Sequence, residues 1–198
     1  MALCLAHAAA GYLAYEALRP AGRQRAGLLA TAVLFANAPD LDFLPGLAVG
    51  DPTVFHRGAT HTVVAAALVT AVVLAVARRW RVARAGRVAA VAGLAYLSHL
   101  VVDWMTVDAV APAGIRLLWP VSDAWLHAPW SVLGEIIVDP TSRVGFVRSL
   151  ITPMALQTWV REVGVLAATV ALVHLARGLS GLRDMVTAGE SPEGERDT

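Results

Sequence analysis

Five runs of mostly apolar residues, each close to the length of a bilayer-crossing helix and spaced by arginine clusters, constrain this chain of 198 residues more than any other feature. They extend from about Ala2 to Leu18, Ala26 to Leu47, Ala59 to Ala77, Val88 to Met105 and Trp159 to Ala176. A spanning helix needs about 20 such residues, with about 17 to 25 tolerated. The expected fold is therefore all-α, a polytopic membrane protein of about five transmembrane helices. Composition agrees, because 57% of residues are hydrophobic and only 16% charged, against roughly 45–50% and about 25% in soluble domains. The second run contains "APDLDFLPG", and Pro39 and Pro45 each lack a backbone donor, so it is not expected to stay helical to its end. Irregular backbone at membrane depth requires protein or a water-filled cavity to satisfy it, which places a polar cavity there.

The arginines set an expected orientation, since short cytoplasmic loops collect positive charge. Arg19, Arg23, Arg25, Arg78, Arg79, Arg81, Arg84, Arg87, Arg177 and Arg183 fall on one side, against Arg57, Arg116, Arg143, Arg148 and Arg161 on the other. This gives an N-terminus outside, five crossings and a C-terminus inside. No basic stretch precedes the first apolar run and "ALRPAGRQR" follows it in place of a small-residue cleavage site, so that run is expected to be retained. Between the fourth and fifth helices, residues from about Thr106 to Thr158 form a long extracytoplasmic segment with Trp119, Trp125 and Trp130, suited to the membrane interface and to a lid. The membrane domain is expected over residues 1–183 and a disordered cytoplasmic tail over 184–198. The net charge of +1, without a basic stripe rich in aromatics, argues against nucleic acid as a partner. The single cysteine, Cys4, excludes an internal disulfide and is expected in the core.

Ionisable residues inside apolar segments are expensive and normally face a functional cavity. In the expected topology His7, Asp40, Asp42, His56, His61, His99 and Asp103 all come to the outer leaflet, from four different helices. His174, near the inner end of the fifth, is the exception and reads as structural. His99 and Asp103 are four apart, hence on one helical face. His56 and His61 are five apart, which suits one cavity only if "HRG" is loop, Gly58 the bend and Thr60 the cap of a helix starting at His61. Each of these has a plainer alternative: a helix-stabilising His and Asp pair, interfacial histidines, a solvated acidic turn, and for His7 a buried core histidine.

Imidazole and carboxylate without thiolate suit Zn²⁺, with Mn²⁺ or Fe²⁺ as alternatives, and seven candidate ligands leave room for one or two ions. Such an ion lowers the pKa of a water and stabilises the oxygens of a phosphoester displacement. Asp42 is the favoured general base over Asp103, although spacing does not decide between them. Arg57 is the natural clamp for a phosphate oxygen, or alternatively an arginine reaching to lipid headgroups.

The stretches "APDLD" (38–42), "HRGATHT" (56–62), "SHLVVDWMT" (98–106) and "LLWP" (117–120) resemble the YdjM-like family of inner-membrane proteins described as metal-dependent hydrolases. The resemblance spans roughly residues 7 to 120. It implies a zinc-type hydrolase with His7, Asp40, His56, His61, His99 and Asp103 at the metal site, in a ligand pattern similar to that of helical zinc phospholipases C and related nucleases. Past Thr106, "VDAVAPAGIR" is longer than the link expected before "LLWP", and His127 is an additional candidate as ligand or lid residue. The expected activity is hydrolysis of a (phospho)ester bond in a lipid or lipid-linked substrate at the outer leaflet. The competing readings are a zinc amidase, a metal or proton transporter, and a non-catalytic membrane protein with a structural metal.

Overall fold

The computed structural model describes residues 4–19, 26–51, 53–106, 112–130, 133–134, 136–139 and 141–189, with the side chains of 181–189 left aside. Arg23, Arg25, the link at 107–111 and the end of the tail at 190–198 lie outside the described residues. Two compact units divide the chain, Met1–Val163 and Gly164–Thr198.

In the first unit four helices form a bundle around one of their own. These are α1 (Cys4–Leu18), α2 (Ala26–Asn37), α4 (Val63–Arg79) and α5 (Ala85–Trp104), and α5 packs against the other three. The helices meet through small residues. Ala14, Ala32, Ala36, Ala92 and Ala95 are buried, and Tyr15 and Val91 fill the space between them. A Cβ on Gly11 of α1 would lie 2.6 Å from Ala36 Cβ and 2.7 Å from the Ala32 carbonyl of α2. One on Gly93 of α5 would lie 2.2 Å from Thr70 Oγ1 of α4. Close backbone approach through small residues is how helices associate where lipid removes the hydrophobic drive between them. Large side chains point the other way: Leu34, Leu68, Val72 and Val101 are exposed on the bundle's outer face. Cys4, expected in the core, is exposed as well.

The second apolar run breaks where proline requires it. α2 ends at Asn37, a tight turn follows over Pro39–Asp42, and a short helix α3 (Phe43–Val49) continues at 48° to α2. Pro39 makes the break. Pro45 costs nothing here, since it occupies the first turn of α3, where an amide would lack an intrahelical acceptor. Gly50, at φ 91°, ends α3 in the left-handed conformation.

Past α5 the chain folds back over the same end of the bundle. The Leu117 carbonyl accepts from Val63 N at 3.0 Å and the Trp104 carbonyl from Ala128 N at 2.8 Å, which ties residues 112–130 to the start of α4 and the end of α5. Ile115 and Leu126 pair through reciprocal backbone bonds of 2.9 Å. A short helix α6 (Arg143–Ser149) precedes the long α7 (Pro153–Gly189), which crosses from the first unit into the second. No residue from 163 to 180 of α7 is buried.

The described part of every apolar run is mostly helical, with breaks at Ala38 and Thr62. Two helices, α5 and the Pro153–Ser180 part of α7, are long and apolar enough to cross a membrane, and the bent α2–α3 pair makes a third if it counts as one span. α1 and α4, at 15 and 17 described residues, are shorter.

Candidate metal centre

Alternating helix direction brings the start of α1, the end of α2, the start of α4 and the end of α5 to one end of the bundle. His7, Asp40, Asp42, His56, His61, His99 and Asp103 converge there, so residues separated by up to 96 positions in sequence become neighbours. His7, His61 and His99 have wholly buried side chains and Asp103 is 1% exposed, whereas the Asp40 side chain is 19% exposed.

Asp40, His61, His99 and Asp103 form the tightest group, with one ligand atom from each lying within 4.8 Å of the others. His61 Nε2 is 3.3 Å from Asp103 Oδ2 and 3.6 Å from Asp40 Oδ1, and His99 Nε2 is 3.6 Å from both of those oxygens. The two Nε2 atoms are 3.1 Å apart. His7 stacks on His99 at 3.7 Å between ring centroids and sets its Nε2 3.5 Å from Asp103 Oδ1 and 3.8 Å from Asp40 Oδ2.

Asp42 lies behind this group. One of its oxygens accepts from Thr60 Oγ1 at 2.8 Å and faces His61 Nδ1 at 3.2 Å, and the other faces His56 Nδ1 at 3.1 Å. Asp42, His56 and His61 thereby make a second group compatible with an ion. His56 also stacks on Phe43, at 4.0 Å between centroids. Burial pushes the His56 imidazole below its ordinary pKa, against the pull of the Asp42 carboxylate.

A test of fit comes from the protons. A carbonyl only accepts, so in the 2.8 Å contact between His99 Nδ1 and the Ala36 carbonyl the proton is on Nδ1 and Nε2 presents its lone pair. The Asp42 carboxylate fixes His61 in the same tautomer. With both rings neutral two lone pairs then face each other, and Asp103 Oδ1 and Oδ2, Asp40 Oδ1 and both nitrogens of His7 are buried without a hydrogen-bond partner. Buried polar atoms are normally satisfied. A tetrahedral ion with bonds of about 2.0–2.1 Å holds its ligand atoms about 3.3 Å apart, close to the separations found here. The donor set fits a divalent cation, with the other nitrogen of each ring held by an acceptor as metal-ligating histidines require.

The "HRGATHT" loop is built differently from the expected cap. Thr60 directs its hydroxyl to Asp42, and Thr62 caps α4 by accepting from Ala65 N at 3.0 Å. His61 belongs to a tight turn over Ala59–His61 and α4 begins at Val63. Tyr96 of α5 donates to the Thr60 carbonyl at 2.6 Å and pins that turn. Gly58 is required by space, since a Cβ there would lie 2.9 Å from the Phe55 carbonyl. Arg57, at φ 60°, turns inward, donates to the Gly114 carbonyl at 3.2 Å and sets its Nε 4.0 Å from Asp103. Its side chain is largely buried.

Among the described residues His127 is in neither ligand group and its Nδ1 bonds the Ala128 carbonyl. His174 lies in the second unit. The sequence reading does not single out Glu162, a carboxylate of α7 that is 1% exposed. The available signal was an acid, beside Arg161, near the start of a mainly apolar helix.

Fold and site together define a helical membrane protein with a buried histidine and carboxylate cluster suited to a metal. The chain belongs to the YdjM inner membrane protein family, whose model matches residues 1–182. It is also similar to the inner membrane protein YbcI of Escherichia coli (strain K12), 36% identical over 110 residues, or 54% of this chain. The match spans 61% of YbcI's length. No solved structure matches.

Proposed function

We propose that the protein is a membrane-embedded, metal-dependent hydrolase that cleaves a (phospho)ester bond of a lipid or lipid-linked substrate at the outer leaflet. The observation behind this reading is the convergence of Asp40, His61, His99 and Asp103 on one buried point, where Asp40 Oδ1 and both Asp103 oxygens have no hydrogen-bond partner. A divalent ion there, Zn²⁺ by its donor set, supplies Lewis acidity and a nucleophile at neutral pH. Asp40, His61, His99 and Asp103 hold the ion, His7 closes the group from α1, and Asp42 orients His56 and His61 through their Nδ1 protons. Arg57 brings positive charge beside Asp103 for the anionic part of the substrate. Asp40 is the most exposed of the four ligands.

A cavity of about 510 Å³ adjoins Asp42 and supports a lipid-like substrate. Leu41, Pro45, Val54 and Phe55 give it apolar walls, while Asp42 and Thr60 make one polar edge. In this reading α1 and α4 also cross the bilayer, giving five crossings, with residues from Thr106 to Thr158 outside over the site. Reporter fusions at the two termini should then report opposite sides of the membrane.

The central test uses protein purified in detergent. Bound metal is quantified, and turnover of phospholipid and prenyl-phosphate substrates is followed with and without chelator. The reading requires turnover that falls with chelation and in His61→Ala. A metal-free preparation whose turnover responds to neither defeats it.

A further inference from the structure

The opposite end of the bundle has a second polar feature. Helices α2 and α5 both begin there, and a cavity of about 390 Å³ lies against their first turns. It is lined by Gly27, Leu28 and Thr31 of α2 and by Val82, Arg84 and Arg87 around the turn into α5. Asp103 is eighteen residues from Ala85 on the same helix, so the cavity is about 27 Å from the metal-type cluster and independent of it.

Four observations describe its chemistry. Arg87 Nη1 is buried without a hydrogen-bond partner, which is uncommon for a guanidinium nitrogen. No acidic residue among the described ones makes an ion pair with Arg84 or Arg87. The first turns of α2 and α5 contain no acidic side chain, and Arg84, at the N-cap of α5, provides no capping bond. Arg84 has φ 61°, a left-handed conformation uncommon outside glycine, and it turns the chain so that two guanidinium groups border one cavity. Helix N-termini with no acidic side chain in the first turn, together with arginine forks, select an anion with several oxygens. The walls of Leu28, Val82 and Val88 suit the carbon next to it.

We propose that this cavity binds a phosphate group, with Arg87 as the inner contact and Arg84 at the mouth. Anionic phospholipid headgroups and free phosphate share that chemistry. Basic pockets between membrane helices commonly hold headgroups.

The test measures binding to the full-length protein in detergent. Native mass spectrometry counts retained phosphatidylglycerol against phosphatidylcholine, and inorganic phosphate is titrated separately while melting is followed. Wild type should retain phosphatidylglycerol in preference to phosphatidylcholine, with retention falling roughly five-fold in Arg84→Gln and again in Arg87→Gln. Arg87→Lys, which keeps the charge, should recover part of the loss and serves if Arg87→Gln does not fold. Stabilisation by millimolar phosphate without lipid preference, lost in the same variants, identifies free phosphate as the ligand. Arg78 does not line the cavity, so an equal loss in Arg78→Gln would reduce the effect to general surface charge and overturn the proposal. Binding of lipid and phosphate unchanged in both cavity variants would overturn it too.

Discussion

His61 Nε2 and His99 Nε2 face each other at 3.1 Å while the Nδ1 atom of each ring is committed to an acceptor, the Asp42 carboxylate for one and the Ala36 carbonyl for the other. With both rings neutral neither nitrogen has a proton for the other, and the contact is relieved by a cation between them, a metal ion or a second proton on His61. The first prediction follows from this pair. His61→Ala and His99→Ala, purified without added metal, should each show divalent metal at background by elemental analysis where wild type retains it. Chelator should lower the melting temperature of wild type and leave both variants unchanged, because an ion that binds only the folded state stabilises it, by about 2.7 kcal/mol at a hundredfold excess over Kd. A wild-type melting curve indifferent to chelator would remove the metal from the account.

Asp42 provides a second, separable prediction. Its two oxygens serve Thr60, His61 and His56, and an amide offers one acceptor oxygen where the carboxylate offers two. Asp42→Asn should keep the fold and weaken metal affinity about 10- to 100-fold, as loss of an orienting carboxylate does elsewhere. Competition with a zinc-binding dye reads this directly. Affinity equal to wild type would mean that the rings hold their orientation without it.

Much of this site was legible in sequence because its largest elements are local. The four-residue spacing of His99 and Asp103 needs only a helix, and the common depth of His7, Asp40, His61 and His99 needs only helices that alternate in direction. The break after Asn37 followed from Pro39. What was not legible depends on contacts across the bundle. Thr60 and Thr62 are chemically equal as caps, and only the Asp42 carboxylate and the Tyr96 hydroxyl decide that the first leaves the helix and the second begins it. Arg57 is expected at the site as an anion clamp, but its contacts with the Gly114 carbonyl and Asp103 come from segments distant in sequence.

Packing at the α1 and α2 crossing gives a third prediction. Gly11→Ala puts a methyl group 2.7 Å from the Ala32 carbonyl, a backbone atom that cannot rotate away, so the helices must part. Overpacking of this kind costs about 1–3 kcal/mol. Gly164→Ala meets nothing within 4 Å in a helix and should be neutral or stabilising. Thermal melts in one detergent compare the two, and equal stability of Gly11→Ala and wild type would show that the crossing has slack.

The two threonines of the "HRGATHT" loop separate helix stability from site geometry. Thr62 accepts from Ala65 N and satisfies one of the amides at the start of α4, so Thr62→Ala should cost about 1 kcal/mol in stability while leaving the ligand rings in place. Thr60 does no capping. Its hydroxyl donates to Asp42, the carboxylate that also faces His61, so Thr60→Ala should weaken metal affinity by more than Thr62→Ala does and disturb melting of the metal-free protein less. Thr60→Ser keeps the donor and should restore the affinity. Affinity lost equally in both alanine variants would mean that the start of α4, and not the Thr60 to Asp42 contact, sets the position of His61.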